Sequence, residues 1–179
     1  MAELTQARLW SMRALFAALC LTVIFWRLLP INFLPRGWAG PDLILTLGCA
    51  WVLRRPEYAP AFLIAVMVLL ADFLFQRPPG LWAALALMGT ETLKSRAPGL
   101  RDMGFGPEWL TVSIILVMLT LAERLTLAIL LVDQAPLGLS LMQLIGTILA
   151  YPLVVLASSL LLGVRKIKPG ELDSMRQRA

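Results

Sequence analysis

Apolar residues run in six blocks along the chain, and most of the charge lies outside them. The blocks are Arg13 to Leu29, Pro41 to Leu53, Ala59 to Phe75, Gly80 to Leu93, Trp109 to Val132 and Leu137 to Val164. Pro30 closes the first, and Arg54 and Arg55 close the second. A hydrocarbon core of about 30 Å needs roughly 20 helical residues. The pattern therefore predicts an all-α integral membrane protein of six transmembrane helices. The second and fourth blocks extend only about 20 Å as helix. They either cross by local thinning of the bilayer or enter as re-entrant hairpins held by protein. The domain reading is an N-terminal segment over 1–12, a bundle over 13–164 and a basic tail over 165–179.

Composition supports the pattern. Of 179 residues, 59% are apolar and 15% charged, against roughly 45–50% and about 25% in soluble domains. Mean hydropathy is +0.80. Histidine is missing, which removes the commonest metal ligand and the usual general base at neutral pH. No metal, cofactor or catalytic residue is expected. Cys20 and Cys49 fall inside blocks and read as small core residues.

Charge supplies orientation. Arg8, Arg13, Arg54, Arg55, Lys94, Arg96, Arg101, Arg165, Lys166, Lys168, Arg176 and Arg178 fall on one side of a six-span arrangement, against Arg27, Arg36 and Arg77 on the other. The positive-inside rule then puts both termini in the cytoplasm. The net charge of +5 belongs to these loops and suits anionic lipid better than nucleic acid. Arg8 and Arg13 ahead of an apolar run resemble a signal peptide, but Gly37-Trp38-Ala39 is a weak and distant cleavage site, so a retained anchor is expected.

Ionisable groups inside spans are costly and mark interior or functional positions. Asp72, Glu91, Glu123 and Arg124 are such residues. Glu91 reads as the i,i+3 partner of Lys94 at the cytoplasmic interface. Asp72 lies roughly 5 Å from the outer end of its span and Arg124 about 12 Å from that of its own. The expectation is a buried Asp72–Arg124 pair, in which removing both partners costs less than the sum of the single losses. Ser113, Thr120 and Arg124 share one face of the fifth span, and Ser140, Gln143, Thr147 and Tyr151 share one face of the sixth. Facing polar stripes predict either plain hydrogen bonding between helices or a polar cavity for a ligand or partner helix. Pro152 is expected to kink the sixth helix. Arg77-Pro78-Pro79-Gly80 forms a tight outer turn. Two basic segments read as docking or topology signals, one from Lys94 to Glu108 and one from Arg165.

The chain resembles the MreD family of rod-shape-determining proteins, in the form found in alphaproteobacteria. The residues that carry this are Pro41-Asp42-Leu43, Trp51-Val52-Leu53-Arg54-Arg55-Pro56, Ala71-Asp72, and Arg77-Pro78-Pro79-Gly80-Leu81. They continue with Pro136-Leu137-Gly138-Leu139-Ser140, Tyr151-Pro152-Leu153-Val154-Val155 and Gly163-Val164-Arg165-Lys166. The resemblance implies a non-enzymatic inner-membrane scaffold of the cell-elongation machinery. It would work with the bitopic protein MreC, with actin-like MreB, and with the polymerase-transpeptidase pair that builds peptidoglycan. It also implies a fold similar to the substrate-binding subunits of energy-coupling-factor transporters. A solute-binding membrane subunit is the competing expectation, and a membrane enzyme acting through Glu123 or Asp72 a more distant third.

Overall fold

The computed structural model describes residues 2–29, 39–100, 103–162 and 164. Six α-helices and no strand occur among them. They are α1 (Ala2–Leu28), α2 (Leu43–Arg54), α3 (Ala61–Leu74), α4 (Leu81–Leu100), α5 (Phe105–Ile129) and α6 (Leu137–Leu161). Three have stretches long and apolar enough to cross a membrane: Gln6–Leu28, Phe105–Ile129 and Leu137–Leu160. Leu43–Arg54 and Ala61–Leu74 are apolar but shorter.

Helix boundaries and apolar boundaries part company at three places. α1 starts at Ala2, so most of the expected N-terminal segment is helical. α5 opens at Phe105, behind the cap residue Gly104 and with Pro107 in its first turn, where a missing N–H costs nothing. α4 continues from Leu93 to Leu100 through Lys94, Ser95 and Arg96. Its Lys94 ammonium lies 3.3 Å from Glu91, and Thr92 and Ser95 bond back to the preceding turn. Hydropathy marks where a helix stops being apolar; the backbone ladder is indifferent to that change.

The short α2 is the centre of the molecule. Every residue from Ile44 to Arg54 is buried. A helix that is apolar all round has no face to offer solvent and must be enclosed. α2 packs more extensively on α6 and α4 than on its chain neighbours α1 and α3. Asp42 caps it, with Oδ1 accepting from Leu45 N at 3.1 Å. Trp51 is wholly buried, packed on Phe16 of α1 with ring centroids 5.3 Å apart. Cys20 and Cys49 are buried and free.

Side-chain contacts assign helix directions. Arg13 donates to the Glu57 carbonyl beyond α2, while Arg27 at the far end of α1 lies over the Phe75 ring that closes α3. Trp82 at the start of α4 reaches Asp42 at the start of α2. Glu108 at the start of α5 meets Arg54 at the end of α2. Successive helices thus run in alternating directions between an Asp42 end and an Arg54 end.

The polarity of the bundle is inverted relative to a water-soluble one. Phe25, Trp26, Phe62, Met118, Leu125 and Leu153 are all exposed, whereas Asp42, Arg54, Asp72 and Glu108 are buried. An apolar exterior of this extent suits lipid contact. Where α4 crosses α5, a Cβ on Gly89 would stand 2.7 Å from Leu119 Cδ1. The absent side chain lets the two helices approach closely, as small residues do between membrane helices.

Candidate functional site

The buried polar residues form two groups, one at each end of α2. At the Asp42 end, α2, α4, α5 and α6 enclose a cavity of about 600 Å³. Asp42, Arg77, Glu123, Arg124, Gln143 and Thr147 contribute to its wall. Asp42 is heavily engaged. Its Oδ2 accepts from Trp82 Nε1 at 3.0 Å and lies 3.5 Å from Arg77 Nη1. Its backbone N–H donates to Thr147 Oγ1 at 2.9 Å, which ties α2 to α6. Arg77 also lies over the rings of Phe75 and Trp82, so its guanidinium is held by both charge and aromatic faces.

Asp72 and Arg124 do not pair, contrary to the sequence expectation. Asp72 is wholly buried, and its Oδ2 accepts from the backbone N–H groups of Gly80 and Ala83 at 3.3 and 3.1 Å. It thereby staples the end of α3 to the start of α4, where exposed helix amides favour an anion. The turn that makes this possible holds Gln76 at φ 54° and Gly80 at φ 86°, the latter a left-handed position suited to glycine. Arg124 turns the other way. Its Nη1 donates to Ser140 Oγ at 2.7 Å and to the Ala135 carbonyl at 3.3 Å. Gln134 returns a bond to the Arg124 carbonyl. Arg124 therefore closes the α5–α6 hairpin. Each residue bonds to the loop next to it in the chain, because those partners require no long reach. Asp72 is also absent from the cavity wall.

At the Arg54 end, Arg54 Nη1 lies 2.7 Å from Glu108 Oε1. Tyr151 Oη donates to the same oxygen at 2.6 Å, and the Phe105 ring stacks on Tyr151 at 6.2 Å. Trp51 Nε1 donates to Ser158 Oγ at 3.2 Å. These bonds join α2, α5 and α6. They also place two of the candidate residues. Arg54, expected as a docking or topology residue, is buried against Glu108 and offers no exposed group for docking: α2 is so short that its last turn is still inside the bundle. Tyr151 belongs to this second group and not to the cavity, since the α6 stripe splits along its length. Ser140, Gln143 and Thr147 line the cavity, while Tyr151, one turn further, reaches Glu108.

Glu108 was missed by sequence reasoning. An acidic residue in the first turn of a helix already has a local explanation in the helix dipole. The available signal was an unmatched Arg54 at the end of an all-apolar helix, with one carboxylate opening a span on the same side.

The remaining expectations divide. Ser113 and Thr120 of the α5 stripe bond to carbonyls of their own helix four residues back and make no inter-helix hydrogen bond among the described residues, while Thr120 also lines the cavity. Arg55 is half-buried near Glu57 at 3.5 Å, and Lys94 and Arg96 are exposed, compatible with a surface role. Arg101, Arg165 and Lys166 lie outside the described residues. α6 continues through Pro152. No group of three or more acidic, cysteine or histidine side chains stands ready to hold a metal among the described residues. No protein-family model, curated protein or solved structure matches this chain.

Proposed function

We propose that this chain is a non-enzymatic scaffold subunit of the bacterial cell-elongation machinery, embedded in the inner membrane with both termini in the cytoplasm. The single observation that supports this reading is the convergence of the motifs that resemble the MreD family. Asp42 of the Pro41-Asp42-Leu43 motif contacts Arg77 of the Arg77-Pro78-Pro79-Gly80 turn. Arg54 of the Trp51 to Pro56 motif and Tyr151 of the Tyr151-Pro152 motif share Glu108. Segments remote in sequence are thus conjoined as working parts of one bundle. Their polar groups act as ties between helices, the use a scaffold has for them.

In this reading all six helices cross the membrane, with the Arg54 end inside. The alternation of helix direction supports that, and so does the one-sided distribution of lysine and arginine. The exposed apolar face would meet the single span of MreC. The basic segments would meet anionic lipid, MreB and the polymerase-transpeptidase pair. The test is depletion combined with affinity recovery of the tagged full chain from a crosslinked membrane fraction. Rounded cells and recovered MreC are expected. Cells that keep their rod shape, with no MreC recovered, overturn the proposal.

A further inference from the structure

The wall of the Asp42-end cavity carries two arginines, Arg77 and Arg124, and three carboxylates, Asp42, Glu123 and Asp133, and not all of them are directly paired. Asp42 is satisfied by its cap, by Trp82 and by Arg77. Glu123 differs: half-buried in the wall, its carboxylate makes no hydrogen bond or ion pair within 4.0 Å to any described residue. Arg124, the next residue, bonds through Nη1 alone and only to the neutral oxygens of Ser140 and Ala135. Its Nε and Nη2 donors have no partner among the described residues. Gln143, also in the wall, has a side-chain amide in the same condition. A carboxylate and a guanidinium, neither in a direct ion pair with a described residue, therefore face one cavity.

Charges withdrawn from bulk water without partners are costly, more so in a protein with an apolar exterior. A ligand that supplies both missing charges removes that cost. We propose that this cavity binds a zwitterion, its ammonium held by Glu123 and its acidic group by Arg124, with the Gln143 amide as a further hydrogen-bonding group. A volume of about 600 Å³ suits a molecule of headgroup size, within the range of roughly 300–1,000 Å³ usual for ligand sites. This chemistry has two sources, the ethanolamine phosphate head of a phospholipid and a free small zwitterion. The inference is independent of the scaffold proposal, since its readout is binding and not cell shape.

The test uses the purified full chain. In one arm, native mass spectrometry follows lipid retained from nanodiscs of phosphatidylethanolamine or phosphatidylglycerol. In the other, calorimetry measures binding of free phosphoethanolamine to the detergent-solubilised protein. Glu123→Gln is the decisive variant: it preserves shape, and Glu123 makes no bond whose loss would unfold the bundle. Gln143→Leu, which alters the α6 part of the wall, is the second. Selective retention of phosphatidylethanolamine identifies the lipid source, and binding of free phosphoethanolamine the soluble one. Either supports the site if Glu123→Gln weakens binding roughly tenfold or more, the scale of one charge-assisted hydrogen bond. Absence of binding in both arms overturns it. So does binding that Glu123→Gln and Gln143→Leu leave unchanged.

Discussion

Trp109 on α5 donates its indole N–H to the backbone carbonyl of Ile148 on α6 at 3.1 Å. Ile148 stands four residues before Pro152, so its carbonyl is the one that proline leaves without an intrahelical donor. A neighbouring helix thus supplies the bond that lets α6 run through its proline, as membrane helices require. Trp109→Phe should cost about 0.5–1.5 kcal/mol, the net worth of one hydrogen bond. In a Pro152→Ala background the restored backbone N–H competes for that carbonyl, and the same change should cost less. Thermal unfolding in detergent of the four proteins checks this. Equal costs in both backgrounds would show that the two residues are not linked.

Arg54 and Glu108 make the larger demand on stability. Removing either partner of a buried pair strands a charge, and Arg54→Ala or Glu108→Ala should each destabilise by about 3–5 kcal/mol. An apolar replacement of both, Arg54→Met with Glu108→Leu, should recover much of that loss. Tyr151→Phe removes a hydrogen bond to a charged acceptor and should cost about 1.5–3 kcal/mol. Denaturation of each variant in one detergent gives the comparison, and a double variant as unstable as the sum of the singles would contradict the pairing.

Asp72 and Arg124 share no partner among the described residues. The losses from Asp72→Ala and Arg124→Ala should therefore add, within about 0.3–0.5 kcal/mol. A double-mutant cycle decides between this and the direct pair expected from sequence. Coupling well above that range would restore the pair.

Gly89 stands where α4 packs against Leu119 and Ile115 of α5. The neighbour in the way is the tip of Leu119, a flexible side chain. Gly89→Ala should therefore be tolerated, while Gly89→Leu should cost about 1–3 kcal/mol by overpacking. Leu119→Ala should offset part of that second cost. Melting temperatures of the three variants and the Gly89→Leu/Leu119→Ala double provide the check, and a Gly89→Leu protein as stable as the parent would refute the close contact.

Arg54 and Arg55 are adjacent but differ in environment, one buried and one half-buried. Impermeant thiol reagent should label Arg55→Cys in broken cells and not in intact ones if the Arg54 end faces the cytoplasm. Arg54→Cys should label poorly in both. The native Cys20 and Cys49 are buried, which keeps the background low. Labelling of Arg55→Cys in intact cells would reverse the proposed orientation.

Period and hydropathy sufficed for the six helices and for their order, because an apolar block of helical length between charged loops has one economical arrangement. The same patterns placed Ser140, Gln143 and Thr147 on one polar face of α6, since residues three and four apart share a helix side. Partner choice was not legible. Asp72, Arg124 and Arg54 are each chemically able to pair with several groups, and only the packing selected the Gly80 and Ala83 amides, Ser140 and Glu108. Nor did the shortness of the Pro41 to Leu53 block disclose its meaning. A helix of twelve residues reads as a poor membrane span when taken alone. Its complete burial shows it to be the centre on which the longer helices pack, and that is a property of the neighbours, which no local pattern contains. The sequence alone determined which segments are apolar helices, since that depends on short-range periodicity and backbone hydrogen bonding. The tertiary structure decided which charges meet and which face an open cavity, since both depend on contacts between residues far apart in the chain.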